Sequence, residues 1–174
     1  MKQYFKYIWY LLKHRTFVSL YCFRRGLIWR GLKHDISKFN PKEFIPYANY
    51  FFTDDAPVRG KDGYYAPTLA TDVKFKKAWT HHFHHNDHHW QHYIIPKDGD
   101  LGGFDILSMP ENAIKEMICD WWGAGKAQKS SLNIKEWYKV NKDKLILDIL
   151  SRAIVEVVLE DWFGYWRKNN KNDR

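Results

Sequence analysis

Seven of the chain's nine histidines lie between positions 81 and 92: His81, His82, His84, His85, His88, His89 and His92. Packing alone does not justify such crowding. Neutral imidazole is a common nitrogen ligand for transition metals, and crowded imidazoles repel one another on protonation unless a metal or carboxylates sit among them. On helical spacing His81, His85, His88 and His92 form one stripe, and His82, His85 and His89 form an overlapping one, so two or three can point into one pocket while the rest face solvent. The tract is internal and interrupted by Phe83, Asn86, Asp87 and Trp90, unlike a terminal, unbroken purification tag. At least two of the seven are expected to bind metal.

The rest of the chain is expected to support this tract with helices. Its 174 residues, 45% of them hydrophobic and 18% aromatic, fit one domain over 1–174 with a single buried core. Residues 2–30 place Phe5, Ile8, Trp9, Leu12, Val18, Tyr21 and Cys22 at helical intervals, as one long or two abutting helices with Gly26 as the weak point. A short segment, Leu32 to Phe39, follows. Asn40-Pro41 then supplies a cap and first-turn proline for a helix through Glu43, Phe44, Tyr47 and Tyr50. Residues 53–68, centred on Arg59-Gly-Lys-Asp-Gly63, read as a surface loop with the composition of a lid.

A helix is expected over about 71–93, then a Gly-rich loop at 97–103 within a longer connection to 108. Pro110 opens the next helix, through Ile114, Met117, Ile118 and Trp121, which Gly123 and Gly125 stop. Residues 126–133 connect to a final amphipathic helix over about 143–168, carrying Leu145, Ile149, Ala153, Val157 and Trp162. It reads as a packing helix, with a homodimer contact as the alternative. No strand signal matches these in strength. The class is therefore all-α, one helical domain with two longer loops and a metal-site core over about 10–125.

The 28 Lys and Arg against 20 Asp and Glu give a net charge of +8, which favours a phosphate-bearing or otherwise anionic partner; a solvated basic surface is the alternative. Cys22 and Cys119 each sit beside bulky apolar residues, suiting reduced thiols of a cytoplasmic protein better than a disulfide framework. The apolar stretch Tyr4 to Leu12 is interrupted by Lys6, lacks a small-residue cleavage site and falls short of the roughly 20 residues that cross a bilayer. No membrane partner is expected.

Three further features give the histidine tract a context: His14 alone on the first helix, the doublet His34-Asp35 followed by Ile36-Ser37-Lys38, and Asp120 on a later helix. In this combination the chain resembles the HD-domain superfamily, whose members place a histidine, a His-Asp doublet and a distant aspartate around one metal. Arg30-Gly-Leu-Lys-His-Asp-Ile-Ser-Lys-Phe-Asn-Pro-Lys-Glu-Phe44, His81-His82 with Asn86 and His88-His89-Trp90, and Lys115-Glu-Met-Ile-Cys-Asp-Trp121 resemble, more closely, an uncharacterised phage and bacterial family of HD-like proteins. The resemblance spans about residues 10–125. Its downstream histidine pairs match no single superfamily spacing, which leaves open which of His81 and His82, and which of His88 and His89, bind metal.

The resemblance implies one or two divalent transition ions (manganese, iron, cobalt, nickel or zinc), a first site of His14, His34, Asp35 and Asp120, and a second drawing on His82, His88 or His89, with Asp35 as the bridge where two are held. It also implies that Asp35 and Lys38 take part in catalysis, Lys38 steadying a phosphate. Glu43 reads as a surface glutamate or, nearer the doublet, as a proton carrier or partner to a histidine. Asn86 can orient an imidazole or a substrate oxygen, and Trp90 and Trp121 can stack on a base or simply pack. The leading expectation is a metal-dependent phosphohydrolase acting on a nucleotide, cyclic nucleotide or related phosphoester. A di-iron oxygenase on the same scaffold, or a nucleic-acid or nucleotide-binding protein with a structural metal, are the alternatives, the last resting on the basic pI near 9.3.

Overall fold

Helix α1 (Lys2–Arg24) is the spine against which three of the later helices pack. The computed structural model describes residues 1–63, 73–99 and 102–164. The buried stripe of α1 is Tyr7, Leu11, His14, Val18, Tyr21 and Cys22, at the three- and four-residue steps of one helix face. Phe5, Trp9 and Leu12 belong to the opposite face and are exposed, lying on the order of half a turn away from that stripe. Apolar periodicity alone did not choose between these two faces, since both carry large side chains.

The chain breaks at Gly26, and α2 (Ile28–Lys33) folds back on α1. Asp35 follows in the left-handed region, with φ 54°, a conformation that aspartate tolerates better than most residues. One 3-10 turn (Ile36–Phe39) leads to α3 (Pro41–Phe51). There Asn40 caps as expected, its side chain accepting from the Lys42 N–H, with Pro41 in the first turn. Helix α4 (Val73–His85) lies on α3, and together with the first half of α1 they enclose Tyr7, Leu11, Tyr47, Ala48 and Ala78.

The helix expected to reach residue 93 ends at His85 instead. Asn86 turns its side-chain amide back onto the His82 carbonyl at 2.7 Å, the local bonding by which asparagine competes with helix continuation. After a turn and one 3-10 turn (Trp90–Tyr93), β1 (Ile94–Pro96) pairs antiparallel with β2 (Phe104–Ile106), Ile94 opposite Ile106. This small ribbon stands where no strand was expected, with β-branched Ile94 and Ile95 on one side of the glycine-rich reversal.

Helix α5 (Glu111–Ala127) packs along α1, and α6 (Ile134–Asn141) and α7 (Ile149–Phe163) close a second core around Val18, Ile114, Met117, Ile118, Tyr138, Val155 and Leu159. Three expectations are corrected here. Gly123 and Gly125 do not stop α5, which passes through both. No helix was expected between the connection at 126–133 and about residue 143, where α6 stands, started by a reciprocal cap between Asn133 and Glu136. The last helix starts at Ile149 because the Asp148 carboxylate accepts from the N–H groups of Leu150 and Ser151. On it Val155, Val158, Leu159 and Phe163 are buried, whereas Ile149, Leu150 and Val157 are exposed. The parts of the expected elements at 64–72 and 165–168 lie outside the described residues.

Gly123 lies at a close approach of α5 to α1: a Cβ there would lie 2.4 Å from Val18 Cγ2 and 3.0 Å from the Val18 backbone nitrogen. Gly123→Ala is therefore expected to destabilise the fold by about 1–3 kcal/mol through overpacking, read as a melting temperature lower by roughly 2–4 °C per kcal/mol. An unchanged melting temperature would show that the two helices separate freely at this point. The architecture is all-α apart from the ribbon, and among the described residues no helix is long and apolar enough to cross a membrane.

Candidate metal centre

The two cores meet at a seam of buried polar groups. His14 interrupts the apolar stripe of α1, His34 ends α2, Asp35 occupies the left-handed kink after it, and Asp120 comes from α5. From the other side His82 comes from the last turn of α4, and His88 and His89 from the turn that follows. His14, His34, Asp35, His82 and His88 are all buried, and His89 and Asp120 are partly buried.

These seven residues form two groups that share Asp35. In the first, His14 Nε2 lies 3.1 Å from Asp35 Oδ2 and 3.2 Å from Asp120 Oδ1, and His34 Nε2 lies 3.3 Å from His14 Nε2, 3.4 Å from Asp35 Oδ2 and 3.5 Å from Asp120 Oδ1. In the second, Asp35 Oδ1 is 3.2 Å from His82 Nε2 and 3.6 Å from His88 Nε2, with His89 Nε2 2.9 Å from His82 Nε2. Ligands about 2.1 Å from one ion stand roughly 3.0–3.4 Å from each other in octahedral or tetrahedral arrangement. Asp35 Oδ1 and His88 Nε2 are buried without a hydrogen-bond partner, as atoms aimed at a common centre rather than at one another would be. The donor set of imidazole nitrogens and carboxylate oxygens suits a divalent transition ion at either position.

Carboxylates hold the far side of the histidine rings. Glu116 Oε1 is 2.9 Å from His34 Nδ1 and 3.2 Å from His88 Nδ1, and Arg30 donates to Glu116 Oε2 at 2.7 Å while forming a two-pronged pair with Asp87. Glu43 Oε2 is 2.8 Å from His82 Nδ1 and accepts from Ser37 Oγ at 3.0 Å. Such partners fix the tautomer and raise the basicity of a ligating ring. His34, His88 and Glu116 also lie close enough to hold an ion by themselves, but the Nδ1 atoms concerned face away from Asp35, so this trio is the support of the other two groups.

Glu43 is fully buried against His82 as a partner to a histidine, and is not a surface glutamate. Of the first pair, His81 Nδ1 sits 2.6 Å from Glu43 Oε1 and outside both groups, whereas His82 lies within. Of the second pair both His88 and His89 belong. Helix termination at His85 removes the stripe that joined His81, His85, His88 and His92; His92 instead bonds the Phe83 carbonyl. Asn86 Nδ2 contacts Ser37 Oγ at 2.9 Å and His82 Nδ1 at 3.2 Å, on the side that orients the imidazole. Glu116 was missed, although it precedes Asp120 by one helical turn and shares its face.

Lys38 Nζ lies 2.6 Å from Asp35 Oδ2. Burial would raise the carboxyl pKa of Asp35, yet the facing His34, Lys38 and His82 outweigh it and hold Asp35 well below its usual value. Asp120 is likewise held down, against burial, by His14 and His34, and Glu116 falls to about 2 against burial through His34 and His88. Burial opposes charge on His34, but Asp35, Asp120 and Glu116 prevail and raise its pKa. A proton on His34 therefore competes with a cation at neutral pH. Metal uptake is expected to release about one proton per chain and to tighten as pH rises; calorimetry in buffers of different ionisation enthalpy checks this, and uptake without proton release would contradict it.

A cavity of about 970 Å³ opens onto His14, Lys38, His89 and Asp120. Its walls include Trp79 and Trp90 on one part and Trp121 and Trp137 on another, the last two with ring centroids 5.0 Å apart. The described part of the 53–68 loop contributes Arg59 and Gly63 to the lining, and the 97–108 connection contributes none of its described residues.

Fold and site together define an all-α protein with a buried cluster of histidines and carboxylates at the junction of two cores. The chain belongs to a family of unknown function (DUF5662), matched over residues 3–170. No curated protein and no solved structure matches it.

Proposed function

We propose that the chain is a metal-dependent phosphoester hydrolase of the HD-domain type with a dinuclear centre. The observation that carries this reading is Asp35, whose two oxygens face separate histidine groups within one buried cluster. The order His14, His34-Asp35 and Asp120 along the helices supports the HD-type assignment. When bound, two divalent cations supply Lewis acidity and lower the pKa of water.

The chain's own residues do the remainder. Asp35 and Asp120 stay ionised and hold cationic charge beside the cavity, while Glu116 and Glu43 keep the imidazole Nε2 atoms turned inward. Lys38, at the cavity wall beside Asp35, offers an ammonium to a phosphoryl oxygen. Trp90 and Trp121 give the cavity flat apolar walls suited to a base or other ring, which keeps nucleotides among the substrates. The charge of +8 favours approach of an anion. Cys22 and Cys119 are buried free thiols, in keeping with a reducing cytoplasmic setting.

Purified protein loaded in turn with manganese, iron, cobalt, nickel and zinc, then assayed on bis-p-nitrophenyl phosphate, p-nitrophenyl phosphate and a nucleotide panel, tests the proposal. Metal-dependent phosphoester cleavage is the expected result. Retained metal without turnover would make the centre structural, and iron retention with oxygen consumption would move it to the oxidative class.

A further inference from the structure

The cavity's cationic residues are not all at the metal end. Arg59 also lines it, on a turn built to hold it in place. The turn is closed by the Gly63 N–H donating to the Gly60 carbonyl at 3.0 Å, and Arg59 Nε donates to the Gly63 carbonyl at 2.7 Å. The turn is in turn pinned to α6 and its end: Asn141 Nδ2 donates to the Asp62 carbonyl at 2.8 Å, and Lys144 Nζ is 2.6 Å from Asp62 Oδ2.

Gly63 sits beside Trp137, in the left-handed region at φ 84°, where a Cβ would come within 3.0 Å of the indole and 3.2 Å of Arg59 Nη2. Any side chain at this position would therefore push on both. The guanidinium is thus fixed through Nε beside an aromatic wall, which leaves its outer nitrogens to act, and no carboxylate among the described residues pairs with it. A preorganised arginine fork of this kind matches a phosphate or carboxylate.

We propose that Arg59 forms an anion subsite on the wall of the cavity, taking a second phosphate or carboxylate that the substrate carries apart from the scissile phosphate. Trp121 and Trp137 line the same cavity as a contacting pair, with Trp121 next to Asp120 in the chain and Trp137 against the Arg59 turn. The preferred ligand is therefore bis-anionic, with an aromatic body that rests on those rings. This rests on the phosphoester reading of the metal end.

The test compares adenosine 3′,5′-bisphosphate with adenosine 5′-monophosphate, which share one body and differ by one anion, on metal-loaded wild type, Arg59→Ala and Arg59→Lys. Calorimetric binding is measured alongside phosphate release, and thermal unfolding reports whether the turn survives. Wild type is expected to bind the bisphosphate about tenfold or more tightly than the monophosphate. Arg59→Ala brings that ratio near one, Arg59→Lys restores part of it, and any turnover loss falls on KM rather than kcat. Equal binding of the two ligands by wild type, no binding of either, or an equal loss for both in Arg59→Ala would overturn the subsite. Discrimination in binding with no cleavage of either ligand leaves the subsite standing and sinks the hydrolase reading, whereas cleavage without discrimination does the reverse.

Discussion

Asp35→Asn is expected to empty both ion positions at once and to abolish metal-dependent activity. Its two oxygens serve separate groups, Oδ2 facing His14 and His34 and Oδ1 facing His82 and His88. An amide keeps the shape but offers one oxygen, turns an N–H donor toward the other group and carries no charge. Metal content is expected to fall below about a tenth of the wild-type value, and added metal, which raises the wild-type melting temperature by mass action, leaves the variant unmoved.

The same substitution also costs stability without any metal. Lys38 and the imidazoles lose the carboxylate that compensates them, and breaking a buried ion pair from one side costs about 3–5 kcal/mol, on the order of 10 °C in melting temperature for a chain of this length. The pH dependence has a definite sign. Asp35 is held well below its usual pKa, so its contribution is present above the ordinary carboxylate pKa and is lost as pH falls through the lower, folded value. Wild type and variant should therefore converge in strong acid and differ most near neutrality. A variant that keeps half the metal would show that Asp35 serves one ion only.

Glu116→Gln is the second large effect, and it removes no ligand. Glu116 Oε1 accepts from His34 Nδ1 in one group and His88 Nδ1 in the other, while Oε2 accepts from Arg30. A glutamine can satisfy the rings or the guanidinium, but its amide would face donors on the remaining side, and the charge that raises ring basicity is gone. Affinity is expected to fall about 10–100-fold at both positions together, measured by competition with a chromogenic chelator. A loss confined to one position would separate the roles of His34 and His88, and an unchanged affinity would reduce Glu116 to an anchor for Arg30.

What was legible in the sequence was chemistry placed where helices normally put something else. His14 stands out because it replaces an apolar residue within Leu11 to Val18, and His34-Asp35 and Asp120 stand out through their order along the chain. What was not legible was decided by single side chains acting on the backbone. The Asn86 amide ends α4 one turn after His82, and only that break carries His88 and His89 back toward Asp35. Gly123 reads as a stop, yet serves as the contact that lets α5 approach α1 and so brings Asp120 to His14. Glu116 and Glu43 look like ordinary solvated glutamates because amphipathic spacing does not say that the groove beside them is lined with imidazoles.

The proposed centre holds two ions on one shared aspartate. Elemental analysis of tag-free wild type, His14→Ala and His82→Ala, after passage over a chelating resin, tests it most directly. About two equivalents of transition metal in wild type and about one in each variant is the predicted result. Equal content in all three proteins, or none in any, would contradict a dinuclear centre built on Asp35.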